Sequence, residues 1–272
     1  MMRSLLYVPA HSERFLAKAH ERGADAIILD LEDSVPPDAK QAARGGLADA
    51  VASVRRGGAK VLVRINSGAL QQDDALAACW AGADMLYVPK VQHADELVRL
   101  GALLAQEDAG TGKTIQFIAL LEDIGAVLDA RAIATAPRLA GLSVGGEDLA
   151  LSMGAEPTPD VLRQPKLLVH YAAKERGLLS IGMLRSTADY SDAAGIEAAA
   201  REAKAHGFDG ATCVHPSVVP LLNAGFSPSA EQRDWARRVV EAAESGRGAF
   251  QVDGRMVDAP VVARARAILK RT

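Results

Sequence analysis

The chain has 272 residues, of which 49% are hydrophobic, 24% charged and 4% aromatic. That supply of apolar surface fills a sizeable core and excludes disorder or a collagen-like repeat, and the scarcity of aromatics favours helix-rich packing over a β-sandwich. Lys and Arg number 31 against 34 Asp and Glu, a formal net charge of −3, which lacks the basic footprint of a nucleic-acid binder.

At roughly 150 residues per domain the length allows one large α/β domain with an appendage. No apolar run reaches the roughly 18 residues of a membrane span, and residues 1–10 are too short an apolar stretch, cut by Pro9, for a secretory leader. Cys79 and Cys213 lie far apart with no partner at metal-ligand spacing, so neither a disulfide framework nor a zinc site is expected. The expected location is cytoplasmic, with no membrane partner.

In chain order, β-branched and Leu-rich runs at 4–9, 26–31, 60–65, 85–89, 115–121, 139–144, 178–183 and 211–214 alternate with Ala-rich helical stretches. Several runs are near-continuously apolar, as expected of strands covered on both faces. Ser12 can cap a helix over 13–22, with Gly23 placed for a left-handed C-terminal cap. Helices are likewise predicted over 44–56, 73–81, 95–106, 124–135, 165–176 and 195–206. The string predicts a (β/α)8 TIM barrel over 1–226; a doubly wound open sheet would read similarly, but no glycine-rich dinucleotide loop follows the first strand.

The pattern then changes. Ser229 and Gln232 read as a capping box, and 249–252 with 255–257 flank Asp253-Gly254, a strong hairpin signal. A last helix follows over 260–269. A closed barrel has no ninth slot, so 227–272 is a hairpin–helix extension expected to pack outside it or on a neighbouring subunit.

A barrel gathers its chemistry at the C-terminal ends of its strands, and the polar residues collect there: Asp30, Glu32 and Asp33, then Arg64 and Asn66, Lys90, Glu122 and Asp123, Glu147 and Asp148, and His215. So many carboxylates with few cations repel one another unless a cation is shared. Oxygen donors without Cys favour Mg²⁺ or Mn²⁺ over zinc, with Glu122 and Asp148 as the metal pair. Asp and Glu also cap helices in such loops, the role expected of Asp123 and Glu147, whose side chains leave the strand ends on the opposite side. Arg64 can grip a carboxylate bidentately or clamp a neighbouring acid. Gly145-Gly146 lets backbone approach the site closely, and His215-Pro216 reads as structural.

These residues resemble the citrate lyase β-subunit-like group of the aldolase/citrate lyase superfamily, which includes malyl-CoA and citramalyl-CoA lyases. The likeness spans nearly the whole chain: Leu5-Leu6-Tyr7-Val8-Pro9-Ala10, the stretch from Ile28 to Val35, Val63-Arg64-Ile65-Asn66, Leu120-Leu121-Glu122, Gly145-Gly146-Glu147-Asp148-Leu149, Val214-His215-Pro216 and Asp253-Gly254-Arg255-Met256-Val257-Asp258. The resemblance implies a barrel holding Mg²⁺ through Glu122 and Asp148, with Glu32 and Asp33 holding metal-bound waters and Arg64 holding a keto acid. It also implies that Arg3 lies near a coenzyme A or acyl-carrier thioester, and that Asp258, on the tail of an adjacent subunit, is the catalytic acid of a homotrimer or hexamer. Asp123 and Ile181-Gly182 depart from the family's pattern, as does the stretch around Lys166, where its helix arginine is missing.

The activity so implied is Mg²⁺-dependent cleavage of a 3-hydroxy-3-carboxy acyl thioester into an acyl thioester, such as acyl-CoA, and a keto acid: oxaloacetate, pyruvate or glyoxylate. Two rivals stay open. One is a class II pyruvate-type aldolase on free hydroxy-keto acids, which needs no Asp258. The other is a citrate lyase β subunit that turns over only in a complex. Asp258 could also serve simply as a helix cap.

Overall fold

The computed structural model describes residues 1–186, 190–244 and 250–270. Eight parallel strands form the centre: β1 (Ser4–Pro9), β2 (Ala26–Asp30), β3 (Lys60–Arg64), β4 (Met85–Val88), β5 (Gln116–Leu121), β6 (Leu139–Val144), β7 (Leu179–Ile181) and β8 (Ala211–Cys213). Hydrogen bonding follows chain order from β1 to β7, and β8 pairs with β1. An Ile181–Gly210 bridge brings β7 and β8 together, and Gly182 N donates to Gly210 O at 2.8 Å. The result is a nearly closed (β/α)8 barrel rather than an open sheet.

The mainly apolar strands divide their residues by alternation. Leu5, Ala26, Ile28, Leu62, Met85, Tyr87, Ile118 and Leu120 pack into an inner cluster. Their neighbours Leu6, Ile27, Leu29, Val61, Val63, Leu86 and Ala119 face the helical layer. The inner rows continue at the strand ends as Asp30, Arg64 and Glu122, so the same parity that fills the barrel points these three into its mouth.

The helical layer comprises α1 (Glu13–Ala19), α2 (Lys40–Gly45), α3 (Leu47–Arg55), α4 (Gln71–Trp80), α5 (Ala94–Thr111), α6 (Ile124–Leu128), α7 (Ala130–Ile133), α8 (Gly146–Ser152), α9 (Pro159–Glu175), α10 (Ala193–His206) and α11 (Val219–Phe226). Several boundaries differ from the sequence reading. The predicted helix over 44–56 is two helices meeting at Gly46, and that over 124–135 breaks at Asp129. The helix predicted to open at Pro165 opens earlier, at a Thr158 cap with Pro159 in the first turn, and Pro165 is buried inside it. Proline suits a first turn, but here two prolines compete for that place and the one behind the threonine cap takes it. Ser12 makes no side-chain cap bond, whereas Gly23 does adopt a left-handed φ of 68°.

The last segment has its own small core. Helix α12 (Ala230–Glu244), strands β9 (Phe250–Val252) and β10 (Arg255–Val257), and α13 (Ala259–Leu269) pack around Ala236, Val239, Val257 and Ala265. The capping box forms, with Gln232 N donating to Ser229 Oγ and Ser229 N to Gln232 Oε1, both at 3.1 Å. Asp253 and Gly254 take φ of 53° and 74°, the positive pair that the tightest hairpin turn requires. Ala249, placed in the first hairpin strand by sequence, lies outside the described residues.

Candidate active site

A cavity of about 420 Å³ opens at the C-terminal ends of the strands, lined among others by Tyr7, Asp30, Asp33, Arg64, Tyr87, Glu122, Asp148 and Lys166. Four sequence-predicted residues, Asp33, Arg64, Glu122 and Asp148, meet here from four different βα units. Glu32 stands just behind them.

Arg64 is held from several sides. Its Nε and Nη2 donate to the two oxygens of Asp30 at 2.6 and 2.7 Å, and Nη1 lies 3.0 Å from Glu32 and 3.2 Å from Asp33. The guanidinium also sits 4.9 Å above the Tyr7 ring, a cation–π contact. Burial works against its charge, but the bonds to Asp30 and the field of the acids prevail and raise its pKa. For Asp30, burial opposes ionisation while Arg64 and the N–H groups of Glu32 and Ser34 hold its pKa below the usual value. Sequence pattern alone assigns Asp30 no role. Its place two residues beyond Ile28 in the inner row was the available signal.

The other carboxylates are under opposite stress. Glu122 is 7% exposed, and its pKa is pushed up to about 8 by burial, then by Glu32 and Asp148, with the Lys90 N–H and Arg64 acting the other way. Lys90 N donates to Glu122 Oε2 at 2.9 Å from a left-handed backbone, φ 54°. Glu32 is also raised, by burial first. Both of its oxygens are buried without an aligned hydrogen bond, although Lys90 Nζ and Arg64 Nη1 each lie 3.0 Å away as ion-pair partners.

A network behind the site fixes these loops: buried Asp74 accepts from Arg44 Nε at 2.6 Å and from Asn66 N at 2.9 Å, and Lys40 Nζ donates to Glu32 O at 2.9 Å. Among the described residues the hydroxyl of Tyr87, which lines the cavity, has no aligned partner, and burial raises its pKa to about 12.

This donor set fits a hard divalent cation. Repulsion among Glu122, Asp148 and Glu32 is what a shared cation relieves. No group of three His, Cys, Asp or Glu side chains at ligand spacing occurs among the described residues. A carboxylate pair suits Mg²⁺, which keeps several waters and substrate oxygens. Asp123 instead caps α6, accepting from Gly125 N at 2.7 Å, and Glu147 accepts from Ser186 Oγ. His215 caps the turn at Pro216–Val218 and stacks on Tyr190 at 4.8 Å.

Gly145 makes the close approach possible. A Cβ there would stand 2.6 Å from Glu122 Oε1 and 2.7 Å from its Cγ. Gly145→Ala, at an ordinary φ of −78°, is therefore expected to leave a folded protein whose displaced Glu122 binds Mg²⁺ about tenfold or more weakly, the scale of disturbing a metal ligand's support. A calorimetric Mg²⁺ titration equal to wild type would show that the Glu122 position is immaterial.

Two expected residues are not brought to the cavity of this chain. Arg3 precedes β1, at the opposite end of the barrel from the mouth, a strand of six residues away, or about 20 Å. It is committed there to Asp25 at 2.7 Å and Ser227 at 3.0 Å, so Arg3 does not lie near the mouth of its own barrel, where the resemblance puts it close to a coenzyme A or acyl-carrier thioester: a strand's first residues cannot reach the end where its last ones point. Asp258 caps α13, its Oδ1 accepting from Val261 N at 3.3 Å.

Comparison with known proteins agrees with this geometry. A family described as HpcH/HpaI aldolase/citrate lyase matches residues 3–216. The chain is 35% identical over 275 residues to a citrate lyase subunit beta-like protein of Mycobacterium tuberculosis, covering 98% of this chain and 94% of that one. It is equally 35% identical over 277 residues to a (3S)-malyl-CoA thioesterase of Cereibacter sphaeroides, covering 99% and 94%. Among solved structures, the CitE protein of M. tuberculosis in complex with magnesium, acetoacetate and coenzyme A superposes with a TM-score of 0.81 at 32% identity, covering 98% and 97%. Barrel, acidic mouth and full-length similarity together lead to one conclusion: the chain belongs to the HpcH/HpaI aldolase/citrate lyase family, an enzyme of the carbon–carbon lyase type.

Proposed function

We propose that the protein is a Mg²⁺-dependent lyase that splits a 3-hydroxy-3-carboxy acyl thioester, of the citramalyl-CoA, malyl-CoA or citryl type, into an acyl thioester and a 2-keto acid. The observation that carries this reading is the buried Glu122 carboxyl, stressed by Asp148 and Glu32 beside Arg64 in one cavity. Glu122 and Asp148 would hold the ion, and the unaligned oxygens of Glu32, with exposed Asp33, would accept from its waters. When bound, Mg²⁺ supplies positive charge to the carboxylate and adjacent oxygen of the acid fragment.

In the reaction the C2–C3 bond breaks. Its electron pair passes to the thioester as an enolate, while the C3 hydroxyl gives its proton to solvent water at the mouth and becomes the ketone. Arg64 orients the acid fragment through charge-assisted hydrogen bonds; Asp30 fixes the guanidinium plane, and one Nη2 N–H of its five donors stays outside the contacts described. Asp258, delivered by a neighbouring copy, returns a proton to the enolate carbon.

The thioesterase relative favours a second reading, hydrolysis of the thioester itself. Incubating purified protein and Mg²⁺ with malyl-CoA or citramalyl-CoA separates them: keto acid trapped as a hydrazone without free thiol is the lyase outcome. Free thiol without keto acid would replace the lyase with the thioesterase.

Arg64→Lys keeps the charge but not the planar two-point fork. Keto-acid affinity is expected to fall by about 1.5–3 kcal/mol, the scale of a hydrogen bond to a charged group. Unchanged affinity for oxaloacetate, pyruvate and glyoxylate would leave Arg64 only as the clamp on Asp30.

A further inference from the structure

Lys166, on α9, is 4% exposed, yet it lines the same cavity as Arg64 and Glu122. Its Nζ donates to Arg185 O at 2.7 Å. Among the described residues the charge it feels is that of Glu147, and burial lowers its pKa to about 8. An ammonium has three donors, so two remain for other partners, and a buried cation without a close counter-ion is costly.

Its position relative to the metal pair is set by two glycines. A Cβ on Gly146 would stand 3.5 Å from Lys166 Nζ, and one on Gly145 would stand 2.6 Å from Glu122 Oε1. Lys166 and Glu122 therefore flank adjacent backbone positions, whose Cα atoms are about 3.8 Å apart. Behind Lys166 lies a small void of about 10 Å³ bordered by Gly182, Ser143 and His170. A Cβ on Gly182 would meet only Phe208 Cε1, at 3.8 Å. This void borders the Lys166 side chain.

Among the described residues the other charged groups lining the cavity, apart from Arg64, are acidic, and Arg64 is shared among Asp30, Glu32 and Asp33. A substrate bearing two carboxylates is repelled from such a cavity unless each end meets a cation. We infer that Lys166 is a second anion contact, binding the distal carboxylate of a dicarboxylic acid fragment whose other carboxylate lies at the Glu122, Asp148 and Arg64 end. The inference rests on the proposed function, and it makes Lys166 a specificity residue that selects dicarboxylic over monocarboxylic acid fragments.

Malate and lactate share a 2-hydroxy acid head and differ in the distal carboxylate, so the test is their calorimetric affinity in the presence of Mg²⁺. Wild-type protein is expected to prefer malate on the order of tenfold, the lower range for a hydrogen bond to a charged group. Lys166→Met should collapse that ratio and Lys166→Arg should keep most of it. Equal wild-type affinity for the two acids, a comparison that needs no variant, overturns this inference alone. A preference that persists in Lys166→Met also overturns it, whereas a protein that binds neither acid overturns the proposed function as well.

Discussion

Glu122→Gln is expected to abolish Mg²⁺-dependent turnover and, at the same time, to stabilise the metal-free protein at alkaline pH. The first effect follows because the ion loses one of two anionic anchors. The loss of affinity should exceed the roughly 10–100-fold that removal of a ligand's supporting partner costs, and Asp148→Asn should do likewise.

The second effect follows from the direction of the Glu122 shift. Its pKa stands at about 8 in the fold against an ordinary 4.5, so between these values the native state binds more protons than the unfolded one. Stability of the metal-free chain therefore falls as pH rises through that window, and Gln, which cannot ionise, escapes the loss. The melting temperature of Glu122→Gln relative to wild type should accordingly rise from pH 5 to pH 8, by roughly 2–4 °C for each kcal/mol in a chain of this size. Saturating Mg²⁺ should reverse the order, because it stabilises only the protein that binds it. Undiminished Mg²⁺ affinity in both variants would remove the metal assignment.

Mixing two inactive variants should restore activity. Asp258→Asn keeps the cap on α13, because Asn caps as well as Asp, so the tail should stay folded while Mg²⁺ and keto-acid binding persist and full turnover stops. Combined with Glu122→Gln and allowed to exchange subunits, it should recover about one quarter of wild-type activity. In a cyclic assembly with random partners, half of the sites have an intact barrel and half of those receive an intact tail. The motivating geometry is that Asp258 caps α13 beside the small C-terminal core and is not among the described residues lining its own chain's cavity. A monomer in solution, or no recovery after confirmed exchange, would favour the aldolase reading, which needs no tail.

Much of this was legible in the sequence. Eight apolar runs separated by helical stretches specify eight strands because local periodicity is a short-range property, and all eight occur, with small differences at their ends. Ser229 with Gln232, and Asp253-Gly254, specify the capping box and the turn of the hairpin because those devices close within four residues. That Glu122 and Asp148 would meet at one mouth was also legible, since strand ends in a barrel converge on one face.

What only the tertiary structure decided is which groups are stressed and which are satisfied. Arg64 and Asp30 are 34 positions apart, and their two-point bond depends on β2 and β3 lying side by side in register. Lys166 reads in sequence as an ordinary helix residue. Its burial against the cavity is set by the packing of α9 on β6 and β7. Arg3, assigned by resemblance to the site, sits at the far end of the barrel because strand direction fixes which terminus faces the mouth. Charge and burial at these positions are sums over residues distant in the chain, and local pattern carries no record of such sums until the barrel closes.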